Sequence, residues 1–140
     1  MPAEDKAAYR LIRKHHPHLL KARVVCVGKP KASRAGRVVN IAKARRASRL
    51  VQALVRPVPN YVIEIGRDVW ETLTTRERGI VLDHELMHFA GYDEKRKWWR
   101  MRRHDVEEFY EILQRYGAWS EELKALVKLT RSVRERREES

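Results

Sequence analysis

The sequence predicts an α+β domain, a small sheet of about three strands with one central helix and further helices packed around it. Short β-branched runs at 24–27, 38–41 and 61–65, bounded by Gly, Pro, Ser and Asn, have the composition of strands. The segments between and beyond them carry helical spacing and helix-start signals. A chain of 140 residues is long enough for one hydrophobic core and too short for two ordinary ones.

Residues 3–14 form the first expected helix. Ala7, Ala8, Leu11 and Ile12 make one apolar stripe, Lys6, Arg10, Arg13 and Lys14 lie opposite, and Pro17 stops it. His15, His16 and His18 cluster at that boundary. A His-rich tract can bind metal, but beside a proline at a helix end these three are expected as solvated loop residues. Residues 24–27 are the first strand, closed by Gly28-Lys29-Pro30, and 38–41 the second, after a basic connection containing Ser33 and Gly36. Residues 44–55 have helical character, with Ala47, Leu50, Val51 and Leu54 spaced at three and four and Pro57 and Pro59 beyond. The third strand, 61–65, points Tyr61, Ile63 and Ile65 one way and Val62 and Glu64 the other.

Thr74 and Glu77 make a capping-box pair, which opens a helix expected over 75–90, with Gly91 just past its end. Residues 92–103 include Lys95-Arg96-Lys97-Trp98-Trp99-Arg100-Met101-Arg102-Arg103. Tryptophans on the core with a solvated basic edge are the expectation there, although such interleaving also suits stacking on bases. Asp105 and Glu108 repeat the cap signature ahead of Val106, Phe109, Tyr110 and Leu113, and Gly117 closes that helix. A last helix from Ser120 would bury Leu123, Leu126 and Val127. The expected organisation is a single domain over 1–133 and a charged, disordered tail over 134–140.

The formal net charge of +12 is unevenly placed: residues 6–63 hold 15 Lys and Arg and no Asp or Glu, while the chain beyond is close to neutral. Such a surface attracts polyanions, so nucleic acid is a candidate partner through residues 6–63 and 95–103. No apolar run reaches 18 residues and the start is charged throughout, so neither a membrane span nor a secretory signal is expected. Cys26 is the only cysteine and lies in an apolar run, which makes it a small core residue and the cytoplasm the expected compartment.

The chemistry concentrates in Asp83-His84-Glu85-Leu86-Met87-His88-Phe89, a His-Glu-x-x-His motif. On a helix, residues four apart lie one above the other, so His84 and His88 point the same way, with Glu85 about 100° round from His84. A zinc ion takes neutral imidazole nitrogens, a catalytic site keeps a position open for water, and Glu85 is placed to accept that water's proton. Ile80, Val81, Leu82, Leu86, Met87, Phe89 and Ala90 make the segment apolar nearly all round, which implies burial. Asp83, His84, Glu85 and His88 then need partners, and a metal satisfies three together. For a third protein ligand the candidates are His104, Asp105, Glu107 and Glu108. His104 suits best: if Asp105 caps the next helix, His104 lies just outside it and can swing back.

The stretch 61–119, with YVIEIGRDVWETLT, LDHELMHF, HDVEEF and RYGAW, resembles the putative phage metallopeptidase family, found in phages and in bacterial genomes carrying their remnants. More distantly it is similar to SprT-like zinc proteases, which also place three strands before the motif helix and a third histidine shortly before the next. The resemblance implies a zincin-like fold, one catalytic zinc held by His84, His88 and His104, Glu85 as the catalytic residue, and a phage-encoded or prophage-derived protein in a bacterial host. Some SprT-like proteases act on proteins crosslinked to DNA, in keeping with the basic half, although no second zinc-binding module is recognisable in this sequence.

The expected function is therefore zinc-dependent hydrolysis of peptide bonds in a protein or peptide laid along an edge strand, with Tyr92, Tyr110 or an arginine before His104 serving the oxyanion. The rival is a nucleic-acid-binding or phage interaction protein with a non-catalytic zinc site. Structural zinc sites are usually four-ligand and cysteine-rich, which one distant cysteine does not provide, and they have no use for Glu85.

Overall fold

The strand β5, Tyr61–Gly66, reads Tyr-Val-Ile-Glu-Ile-Gly and is buried at every position but Glu64. That is the pattern of a central strand covered on both faces. In the computed structural model, which describes residues 2–35, 38–102 and 115, β5 pairs in parallel with β1 (Val24–Lys29) and antiparallel with β4 (Ala42–Arg46), giving a three-stranded sheet of order β1-β5-β4. The chain divides into two units, Met1–Arg102 and Arg103–Ser140, and nearly all described residues belong to the first. The helices expected after Asp105 and Ser120, and the tail 134–140, lie outside the described residues.

Helix α1, Ala3–His15, buries Ala8 and Ile12 and packs against β1 and the motif helix. A 3-10 turn, Pro17–Leu19, follows and sets Leu19 into the core. Cys26 on β1 is half-buried, and burial together with Asp5 keeps its thiol protonated. β2 (Ser33–Ala35) and β3 (Val38–Asn40) form a separate hairpin. A short helix, α2 (Arg49–Leu54), is capped by Ser48, whose Oγ accepts from Val51 N at 3.1 Å. After β5 a single turn, α3 (Arg67–Trp70), buries Trp70 and leads into α4 (Thr75–Leu86), whose Thr74/Glu77 capping box forms as expected. β6 (Phe89–Asp93) and β7 (Trp98–Met101) make the last hairpin.

The α+β class with a three-stranded sheet is the one the sequence predicts, but its third member is β4 and not residues 38–41, which pair with β2 instead. The helix expected over 44–55 is confined to Arg49–Leu54, and Leu50 and Leu54 are 67% and 73% exposed, so their spacing marks no core face. The preceding residues alternate with period two: Ala42 and Ala44 are half-buried and Lys43 and Arg45 exposed. Pairing with β5 overrides the helix preference of Ala, Lys and Arg.

The motif helix ends at Leu86, four residues earlier than expected. The N–H of Met87 is shared between the carbonyls of Asp83 and His84 at 3.2 Å each, and His88 N bonds Glu85 O at 3.1 Å, a tightened final turn. Phe89 then leaves as a strand and stacks on Tyr61 with ring centroids 4.1 Å apart. Gly91 sits at φ 95°, which an L side chain rarely adopts, and an added Cβ would lie 3.4 Å from His18 O. The chain therefore turns back after β6 and returns as β7, and Trp99 packs edge-on to Tyr61 as a core-facing tryptophan should.

Tyr61 fastens this hairpin to the sheet. Its hydroxyl accepts from Gly91 N at 3.1 Å and donates to Arg100 O at 2.6 Å, and burial holds its pKa above the ordinary phenol value. Tyr61→Phe is expected to cost about 1–3 kcal/mol in chemical denaturation, because the Gly91 N–H is left inside without its partner. No helix among the described residues is long and apolar enough to cross a membrane.

Candidate metal centre

The C-terminal end of α4 delivers His84 and Glu85 from a mostly buried segment, and the turn after it delivers His88. Ile80, Val81, Leu82 and Leu86 are buried, and so are Asp83 and Glu85 among them. His84 is half-exposed and His88, in the turn after the helix, is buried. The two imidazoles stand perpendicular, with ring centroids 5.4 Å apart. One donor atom from each of His84, Glu85 and His88 lies within 4.8 Å of the others, and together they could hold a metal ion. Two imidazole nitrogens on one tetrahedral zinc stand roughly 3.4 Å apart.

His88 is prepared as a ligand by its surroundings. Its Nδ1 lies 3.0 Å from the carbonyl oxygen of Arg102. A carbonyl only accepts, so Nδ1 carries the hydrogen and, in the neutral ring, the lone pair is on Nε2. Burial lowers the pKa of His88 and the Arg102 charge lowers it further, against the raising effect of the Arg102 carbonyl, so the neutral ring prevails. Orientation of a ligating imidazole by a backbone carbonyl is a recurrent feature of metal sites. The donor chemistry and tautomer therefore fit a divalent cation, and the half-exposed His84 leaves the group reachable from solvent.

Arg102 N also donates to His88 O at 2.5 Å, so the strand leaving β7 is pinned to the second histidine of the motif. His104 is two residues further on and lies outside the described residues, as do Asp105, Glu107, Glu108 and Tyr110. Tyr92, one of the expected oxyanion partners, is 46% exposed on β6 with its ring against Trp99.

Of the three histidines expected as solvated, His18 is exposed as expected, His15 is half-buried and His16 is buried. His16 is 2% exposed and its Nε2 donates to Oδ1 of Asp83, which is wholly buried, at 2.5 Å. His18 Nε2 donates to Phe89 O at 2.8 Å. A sign of this was present in the sequence, since Asp83 in an apolar segment requires a buried partner. Its identity was not, because the partner is 67 residues away. The basic half is partly neutralised on the sheet, where Arg45 pairs with Glu64 at 3.2 Å, while Arg46 lies 4.5 Å above the centre of the Trp98 ring.

Across residues 2–131 the chain matches the family described as putative phage metallopeptidase. No curated protein and no solved structure matches it.

Proposed function

The chain belongs to the family of putative phage metallopeptidases, and on that premise we propose that it is a zincin-like zinc peptidase acting in the cytoplasm of a bacterial host. The observation that carries this reading is the convergence of His84, Glu85 and His88 within 4.8 Å at the buried C-terminal end of α4. His84 and His88 would hold the ion, with His104 as the third protein ligand. A bound zinc would supply Lewis acidity toward the scissile carbonyl and lower the pKa of a water. Glu85 accepts the proton of the attacking water on its carboxylate and returns it to the leaving nitrogen. Arg102, whose charge is felt at His88, is the cation we assign to the developing oxyanion.

Substrate binding falls to β4. It is a terminal strand of the sheet, it packs beside α4, and its outer edge is unpaired among the described residues. An extended peptide can add to such an edge through backbone hydrogen bonds, with the exposed Lys43 and Arg45 flanking it. The test is metal analysis of the purified full chain beside peptide-bond hydrolysis assays, run with and without DNA. Stoichiometric zinc with chelator-sensitive cleavage is the expected result. A metal-free, inert protein under zinc-replete conditions would overturn the proposal.

One observation favours a role beside nucleic acid. Trp98 is 40% exposed with Arg46 over its face, next to the basic turn of Lys95, Arg96 and Lys97. A ring with cations round it is a stacking platform for an unpaired base. Single-stranded DNA is then expected to bind with little sequence preference, with log affinity falling linearly in log salt by about 0.7 per phosphate contact. Charge reversal at Arg45, Arg46 and Arg49 should flatten that slope in a fluorescence-anisotropy titration. Undetectable binding at low salt would reduce the basic half to a solubility or protein-partner feature.

A further inference from the structure

The metal helix ends between its two histidines. His84 lies in the last turn of α4 and His88 in the tightened turn beyond it. A continuous helix would set the separation of two imidazoles four residues apart by itself. Here that separation depends on how the chain bends between Asp83 and Phe89, and both flanks of the bend are tied to one short element. His16 Nε2 donates to Asp83 Oδ1, immediately before His84, at 2.5 Å. His18 Nε2 donates to Phe89 O, immediately after His88, at 2.8 Å.

The element between those two contacts is stiff. Pro17 has a ring-locked φ, Leu19 N closes the 3-10 turn onto His16 O at 2.9 Å, and Leu19 is wholly buried. His16 and Asp83 are 2% and 0% exposed, so water does not compete for their charge-assisted bond. Gly91 on β6 lies beside His18, where an added Cβ would be in ordinary van der Waals contact with His18 O at 3.4 Å. The overall packing of α1 rests on other residues, notably Ala8 and Ile12.

We propose that His16-Pro17-His18 is a positioning clamp that fixes the spacing of His84 and His88 and thereby sets the affinity and geometry of the metal site. The clamp rests on the metal-site reading above, and it assigns to three residues far from the motif a role that acts through its flanks.

The test uses the full chain with zinc affinity measured by chelator competition, cobalt absorption spectra as a readout of ligand geometry, and thermal unfolding of the metal-free protein. His16→Leu and His18→Leu are expected to weaken zinc binding about tenfold or more, the loss typical when an outer-shell partner is removed, and to alter the cobalt spectrum. His18→Gln, whose amide reaches as far as Nε2, should recover most of the affinity, whereas the shorter His18→Asn should not. That pair keeps the test decisive if the leucine variants do not fold. Ile65→Val, a core change away from the clamp, should lower thermal stability and leave zinc and cobalt binding unchanged. Clamp variants that lose stability yet bind zinc and cobalt as the wild type does would overturn the clamp alone. Failure of the wild-type chain to bind either metal would overturn the metal-site reading and the clamp with it.

Discussion

Replacing Glu85 with glutamine is expected to reduce peptide hydrolysis by about 10²–10⁴-fold while the protein keeps its fold and its zinc. The magnitude is that of removing a positioned general base. Glutamine nearly matches glutamate in shape, so the buried site should not collapse, but its amide cannot take a proton from water. The prediction separates two roles that the geometry allows together, because the Glu85 carboxylate lies in the same 4.8 Å cluster as the imidazoles. Steady-state hydrolysis and metal content must therefore be read on the same preparation. Loss of zinc along with activity would make Glu85 a ligand, and turnover like the wild type's would end the general-base mechanism.

How much of this was legible in the sequence depended on the range of the interactions concerned. The Thr74/Glu77 box spans three residues, and it formed where the sequence put it. The run 61–65 reads as a strand because it is β-branched, alternates Tyr61, Ile63 and Ile65 with Val62 and Glu64, and is bounded by turn formers, and it became the sheet's centre. The gathering of His84, Glu85 and His88 is likewise local. What failed was set at long range. Ala42–Arg46 has helical composition and becomes a strand only because β5 supplies a partner, Ala44 opposite Ile63. Around His88, the apolar residues Leu86, Met87, Phe89 and Ala90 suit a buried helix or a buried strand equally, and in the fold Phe89 stacks on Tyr61 as part of β6. Trp98 and Trp99 divide by the same logic, since strand geometry sends adjacent side chains to opposite faces: Trp99 reaches Tyr61, and Trp98 is left under Arg46.

Loss of His104 is expected to lower zinc affinity sharply, whereas Glu107→Ala and Glu108→Ala should cost at most a capping contribution of about 1 kcal/mol in stability. The sequence places the two glutamates in the first turn of a helix opened by Asp105, where carboxylates already serve the cap and the helix dipole. By the sequence, His104 precedes that helix and is free of its geometry. Arg102 is held to His88 by two hydrogen bonds, N to His88 O at 2.5 Å and O from His88 Nδ1 at 3.0 Å. Chelator competition on His104→Ala, Glu107→Ala and Glu108→Ala, each with thermal unfolding as a check on folding, reads the assignment directly. Should Glu108→Ala strip the metal while His104→Ala retains it, the third ligand is a carboxylate. The site would then belong with two-histidine, one-glutamate zinc centres.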